Sequence, residues 1–155
     1  MPLKKLFLPH PFQWVGWIMS VAGIILAYLR FGIGIKPDFL EINVFAIYST
    51  YFDSKYFQVI QNNISEEICG ITVVVGLFFL AFSREKKEEE RFWDYRLKAL
   101  MISLYVSTLF LLLTFFFFFG LAFVTLLTIY MILPQVIYIA VFRLQLYNNR
   151  RMKLH

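Results

Sequence analysis

A stretch of 44 residues, from Ala99 to Phe142, contains no Asp, Glu, Lys or Arg. As one helix it would be about 66 Å long, whereas a bilayer core is about 30 Å thick and needs about 20 residues. Two membrane spans fit this stretch and one does not. The reversal is predicted at Phe119–Gly120–Leu121, because Gly120 is the residue there that readily leaves helical geometry.

The composition extends this conclusion to the whole chain of 155 residues. It is 60% hydrophobic and 16% charged, whereas a soluble domain is about half apolar and about a quarter charged. The apolar runs predict spans at about residues 12–29, 64–82, 99–119 and 121–142. The predicted fold is therefore an all-α membrane protein, a single domain over residues 1–155 with four transmembrane helices in a bundle.

The positive charges predict how these spans are oriented. Twelve Lys and Arg residues lie in the N-terminal segment, the loop 83–98 and the tail 143–155, and three lie in the first loop, 30–63. The positive-inside rule makes the first group cytoplasmic and the loop 30–63 external, with both termini in the cytoplasm. The positions of the basic residues beside spans in a lipid bilayer thus explain the net charge of +5. No nucleic-acid partner is predicted.

The outer loop is predicted to hold a small extracytoplasmic β-hairpin between the first and second helices. The segments "FLEINVFAIYSTYF" and "YFQVI" are rich in β-branched and aromatic residues, and "DSK" (53–55) separates them. Because an isolated hairpin is marginal in water, we expect it to lean on the helices or on a neighbouring subunit.

The inner loop carries opposite charges at helical spacing. Arg84 with Glu88 and Lys86 with Glu90 are i,i+4 pairs, which predicts a helix extending beyond the bilayer. The loop "FSREKKEEE" followed by "RLKAL", with "NNISEEICGI" before it and "GLAFVTLLTIYMI" after, resembles an uncharacterised family of small four-helix bacterial inner-membrane proteins. The resemblance implies the fold and the inner-membrane compartment, and it implies no activity.

Two carboxylates stand where the second apolar run begins. Asn63 and Glu66 have the spacing of a capping box, in which each side chain satisfies a backbone amide of the other, and Glu67 would share the favourable first turn. The alternative is an ion-binding mouth, because ionisable groups at the edge of a span often mark an ion path.

Small residues recur along one face of each of the first two spans. Such stripes let membrane helices approach closely, so an antiparallel pair is predicted, with the lone cysteine as a packing residue. The residues are Gly16, Ser20, Gly23 and Ala27 in the first span and Ser65, Cys69, Thr72 and Gly76 in the second.

The fourth span carries a more polar stripe of Thr128, Met131, Gln135 and Tyr138. In hydrocarbon Gln135 needs a hydrogen-bonding partner, and Ser103 or Ser107 on the third span is predicted to supply it. This polar set is interpreted as structural glue, with a wetted pore or ligand crevice as the alternative.

No catalytic constellation, metal-ligand spacing or cofactor motif is present in the sequence. The predicted function is therefore non-catalytic: a membrane component, scaffold or sensor that acts by assembly with itself or with a membrane-protein partner. The alternative is a homo-oligomeric ion channel with Glu66 and Glu67 at its outer mouth. An intramembrane enzyme is disfavoured, because no histidine lies at membrane depth to pair with a nucleophile.

Overall fold

The computed structural model describes residues 7–50, 54–86 and 92–152. These residues are mostly helical, and they contain four long helices and one two-stranded antiparallel sheet. The helices are α1 (Pro11–Ala27), α2 (Ser65–Phe82), α3 (Phe92–Phe117) and α4 (Leu121–Met152); the strands are β1 (Glu41–Thr50) and β2 (Ser54–Asn63). Within the described chain, four helices are long and apolar enough to cross a membrane. The predicted four apolar helices and small hairpin are thus confirmed.

The first helix extends beyond its predicted end. A π-helical turn, Tyr28–Ile33, continues α1, and the chain leaves it at Gly34, which has φ +81°. The candidate span is therefore Pro11–Ile33, so Arg30 lies inside the end of the helix and not in the outer loop. A π turn adds a residue per turn and occurs often at functional positions.

The hairpin keeps one antiparallel register from Glu41 opposite Asn63 to Thr50 opposite Ser54, and the strand pairing skips the position of Phe57, which has φ +48°. Ser54 and Lys55 belong to β2, so "DSK" does not lie wholly in the turn as predicted, and Asp53 lies outside the described residues.

Two further boundaries differ from the predicted spans by more than a helical turn. Helix α3 begins at Phe92, seven residues before the predicted span, and α4 continues ten residues beyond residue 142. Arg84 and Lys86 are not helical, and Glu88 and Glu90, their predicted i,i+4 partners, lie outside the described residues. In place of a helix, the start of the inner loop pairs with the N-terminal segment: Leu8 N donates to Phe82 O, and Arg84 N donates to Leu8 O, both at 3.0 Å.

The predicted reversal between α3 and α4 is present. Helix α3 ends at Phe117, Gly120 has φ +67°, and α4 begins at Leu121. A positive φ costs glycine little because it has no Cβ.

The chain divides into two compact units. The first comprises the residues up to Ile18 together with those from Gly76 onward, and the second runs from Met19 to Val75. In the first unit α3 packs against α4, and a buried cluster gathers residues of α2, α3 and α4. Its members are Ala81, Phe92, Ala99, Tyr138, Phe142 and Leu146.

Candidate functional site

Two glycines of the small-residue stripe of α1, Gly16 and Gly23, lie close to backbone atoms of α2. In the first unit, a Cβ atom at position 16 would lie 2.8 Å from Leu80 N and 2.9 Å from Gly76 O. In the second unit, a Cβ atom at position 23 would lie 2.7 Å from Val73 Cγ2. Ser20, Ser65 and Cys69 are buried, whereas Ala27 and Thr72 are half-buried, and Thr72 Oγ1 donates to Ile68 O at 2.7 Å.

The acidic residues that begin α2 have side-chain partners of their own. Glu66 forms an ion pair with Arg30 in the π turn, and Glu67 accepts a hydrogen bond from Asn62 Nδ2 at 3.1 Å. Asn63 Oδ1 accepts from the Ser65 amide at 3.1 Å, while its Nδ2 donates to Pro37 O at 3.0 Å.

The predicted capping box is therefore wrong in its second half: Asn63 Oδ1 accepts from a first-turn amide as an N-cap does, but Glu66 pairs with Arg30. Asn63 is the last residue of β2 and α2 begins at Ser65, so the helix starts one residue later than the box requires. With α2 beginning at Ser65, the third helical residue is Glu67 and not Glu66. The Glu66 carboxylate instead pairs with the Arg30 guanidinium. Asn63 still satisfies one of the amide donors that every helix start leaves without an intrahelical partner.

The predicted polar contact between the third and fourth spans is also wrong. Ser103 Oγ donates to Leu100 O of its own helix at 2.8 Å, whereas Ser107 Oγ and Gln135 Oε1 are buried without a hydrogen-bond partner. Thr128 is exposed and donates to Val124 O at 3.1 Å, while Tyr138 is buried, so these members of the stripe do not share one surface.

A buried arginine, Arg96, is the polar residue that sequence reasoning missed. Its guanidinium donates to Ser83 O at 3.0 Å, to Ala81 O at 3.3 Å and to Tyr138 Oη at 3.5 Å. It also lies 4.3 Å from the ring centroid of Phe7 and 4.6 Å from that of Phe142. The Ala81 and Ser83 carbonyls lie at the C-terminal end of α2. A cation is favourable there because the last helical carbonyls carry partial negative charge, and the aromatic rings add a favourable contact.

The spacing of the buried face of α3 could have located Arg96. That face carries Arg96, Ala99, Ser103, Ser107 and Thr114, at steps of three, four, four and seven. The predicted span begins at Ala99, and the positive-inside rule assigns Arg96 to the cytoplasmic loop. One more helical turn toward the N-terminus places Arg96 on the buried face.

A second polar cluster in the same unit joins α1, the inner loop and α4. Glu85 Oε1 accepts a hydrogen bond from Gln13 Nε2 and pairs with Arg143 Nη1, both at 3.0 Å. Gln13 is buried and the Glu85 side chain is 10% exposed, so this contact is better shielded from water than an ordinary surface ion pair.

Arg96 and Arg30 each line a cavity. In the first unit a crevice of about 170 Å³ is lined by Arg96, Tyr138 and apolar or aromatic side chains, including Phe7 and Trp93. In the second unit a cavity of about 90 Å³ is lined by Arg30, Ser65, Cys69 and aliphatic side chains.

Among the described residues no group of three or more His, Cys, Asp or Glu side chains could hold a metal ion. Comparisons with protein-family models, with curated proteins and with solved structures find no match to this chain.

Proposed function

We propose that this protein is a non-catalytic, multi-pass membrane component that acts by association, and that its hairpin forms the surface for pairing with a second copy. The observation that carries the proposal is an apolar patch outside the four candidate spans. Phe45, Ile47, Phe57 and Val59 are each between 64% and 69% exposed. Exposed apolar side chains on spanning helices face lipid, whereas such a patch elsewhere marks an interaction site.

The strand register brings these side chains together. Phe45 lies opposite Val59, the rings of Phe45 and Phe57 are 6.4 Å apart, and strand alternation places Ile47 on the same face as Phe45. The described sheet has two strands, so each strand also has one unpaired edge. A second hairpin packed on this face would supply the support that a two-stranded sheet lacks.

The backbone at Phe57 supports a functional role for this patch. Its φ is +48°, a region that bulky residues rarely adopt and that costs about 1–3 kcal/mol. Residues with strained backbone cluster at functional sites, where the surrounding structure holds them in the strained conformation.

The proposed compartment is the bacterial inner membrane, with both termini and the inner loop in the cytoplasm and the hairpin outside. The family resemblance supports the compartment, and the twelve-to-three distribution of Lys and Arg supports the orientation. A protein partner in the same membrane is the other occupant that the hairpin face could accept.

The homo-oligomeric channel stays an alternative prediction. The ion pair between Glu66 and Arg30 weakens it, because a neutralised carboxylate contributes less to the negative potential that a cation-selective mouth requires. Cation flux through the reconstituted protein that Glu66→Gln with Glu67→Gln abolishes would favour the channel.

The association proposal is tested by measuring the oligomeric state of the full chain in nanodiscs or mild detergent across a range of concentrations. The variant is Phe57→Asn, because asparagine tolerates positive φ and the change removes the ring without adding backbone strain. Burying this ring contributes about 1–2 kcal/mol per copy, so we expect dimerisation to weaken roughly 30- to 1000-fold.

The matched control is Ile42→Asn, which changes an exposed residue on the opposite face of β1 and should leave dimerisation unchanged. A parent protein that stays monomeric at every concentration would refute pairing between copies. Equal weakening by both variants would show that the apolar face is not the contact.

A further inference from the structure

Two residues with hydroxyl groups lie on the exposed side of α3, away from its buried face. Tyr105 is 72% exposed, and Thr108, one helical turn further along, is also exposed. At 1.5 Å per residue, Thr108 lies about 14 Å from Ala99, where the uncharged stretch begins, and about 14 Å from Phe117, where α3 ends. In the proposed membrane location both residues therefore lie within the hydrocarbon core, and not at the interface where tyrosine is enriched.

The Thr108 hydroxyl differs from those of the other threonines in the four helices. Each of the others donates to the carbonyl four residues earlier in its own helix; they are Thr72, Thr114, Thr125 and Thr128. Within the described ranges of the chain, neither Thr108 Oγ1 nor Tyr105 Oη has a hydrogen-bond partner. Because hydrocarbon contains no water to supply one, these exposed hydroxyls need a partner on another polypeptide.

The exposed side of α3 is complementary to a second copy of itself. A hydroxyl both donates and accepts, so the same two hydroxyls on two copies can bond to each other, whereas lipid chains offer neither donor nor acceptor. Two copies inserted in the same direction have parallel α3 helices, so equivalent residues meet at the same depth about a two-fold axis. Met101 and Leu112 continue this face by one turn in each direction, and they are 50% and 49% exposed.

We infer that α3 forms a second contact between copies, in which Tyr105 and Thr108 of one copy hydrogen-bond to those of the other within the membrane. The inference rests on the proposed membrane location and association of copies, but it uses a helix face and not the hairpin. Met101 and Leu112 supply apolar packing around the hydroxyls, and the interhelical hydrogen bonds fix which side of each helix meets the other.

Cross-linking tests which side of α3 meets the second copy. In the full chain, Cys69→Ala removes the one cysteine of the sequence, and Leu112→Cys then adds a thiol to the proposed contact face. The matched control is Leu113→Cys, at a leucine that is 45% exposed and turned about 100° round the helix. In liposomes with copper phenanthroline as oxidant, Leu112→Cys should give a disulfide-linked dimer and Leu113→Cys should not, because a disulfide needs Cβ atoms within about 4.5 Å.

Removing the two hydroxyls tests the proposed hydrogen bonds directly. The double variant Tyr105→Phe with Thr108→Val removes both hydroxyls and keeps the side-chain shapes. We expect the dissociation constant of the dimer in bilayers to rise about 5- to 30-fold, the loss typical of interhelical hydrogen bonds in model peptides. The matched control is Thr128→Val, because Thr128 is exposed but bonded to its own helix, and this change should leave the dissociation constant unaltered.

The α3 contact is overturned if Leu112→Cys gives no more dimer than Leu113→Cys, or if the double hydroxyl variant pairs as tightly as the parent. A dimer that Phe57→Asn weakens and the double hydroxyl variant does not would refute the α3 contact and leave the hairpin surface standing. The reverse result would refute the hairpin surface alone, and a parent that stays monomeric would refute both.

Discussion

Replacing Gly23 by alanine should destabilise the protein through a single added methyl group. The new Cβ would lie 2.7 Å from Val73 Cγ2, 2.9 Å from the Val73 nitrogen and 3.2 Å from its Cα. Carbon atoms pack best at about 3.5–4.0 Å, so the two helices must separate locally by several tenths of an ångström or more. Rotating the Val73 side chain relieves only the first of these contacts, because the other two are with backbone atoms.

Over-packing of this kind costs about 1–3 kcal/mol. For a chain of this size each kcal/mol corresponds to about 2–4 °C, so the melting temperature should fall by about 2–12 °C. The measurement is thermal unfolding in detergent, followed by intrinsic fluorescence.

The matched control is Gly70→Ala in α2, where an added Cβ would meet no atom within 4 Å. This change removes a glycine from a helix without a clash, so the melting temperature should stay level or rise by the equivalent of up to about 1 kcal/mol. If Gly23→Ala melts at or above the temperature of Gly70→Ala, the close approach of the two helices at Gly23 is refuted.

Two further predictions follow from the other unit and from the charge distribution. Arg96→Met should lower the free energy of unfolding by about 2–5 kcal/mol, because the carbonyls that end α2 lose a buried donor; Lys98→Met, at an exposed neighbouring position, should have little effect in the same melting experiment. For topology, a reporter fused after His155 should read as cytoplasmic and one inserted at Asp53 as external, and an external C-terminus would contradict the assignment of sides.

The coarse fold could be predicted because it depends on local quantities. The uncharged stretch exceeds one bilayer crossing, so two helices and a glycine reversal follow from length alone, and the reversal lies at Gly120 as predicted. The hairpin follows equally from β-branched and aromatic composition. The helix ends were less accurate, because α3 and α4 continue beyond the apolar runs through residues that hydropathy assigns to water.

The candidate sites were predicted less well, because their partners are distant in the sequence. Glu66 and Glu67 were identified from the sequence alone, but the choice of Arg30 as a partner needs the π turn that brings residue 30 to the start of α2. The prediction of a hydrogen bond from Gln135 to a serine of α3 was wrong for a related reason. Two helices that pack together still differ in rotation, and rotation decides which side chains meet.

The four apolar helices and the hairpin of the described residues follow from the sequence, because apolar length and residue type act within each segment. The burial of Arg96 at the end of α2, and the cavity that Arg30 and Ser65 line together, depend on how the helices pack. Burial depends on which surfaces the fold brings together, and those surfaces are distant in the sequence. The local sequence around a charged residue one turn beyond an apolar run is the same in both cases. It does not show whether the side chain contacts water or the carbonyls of another helix.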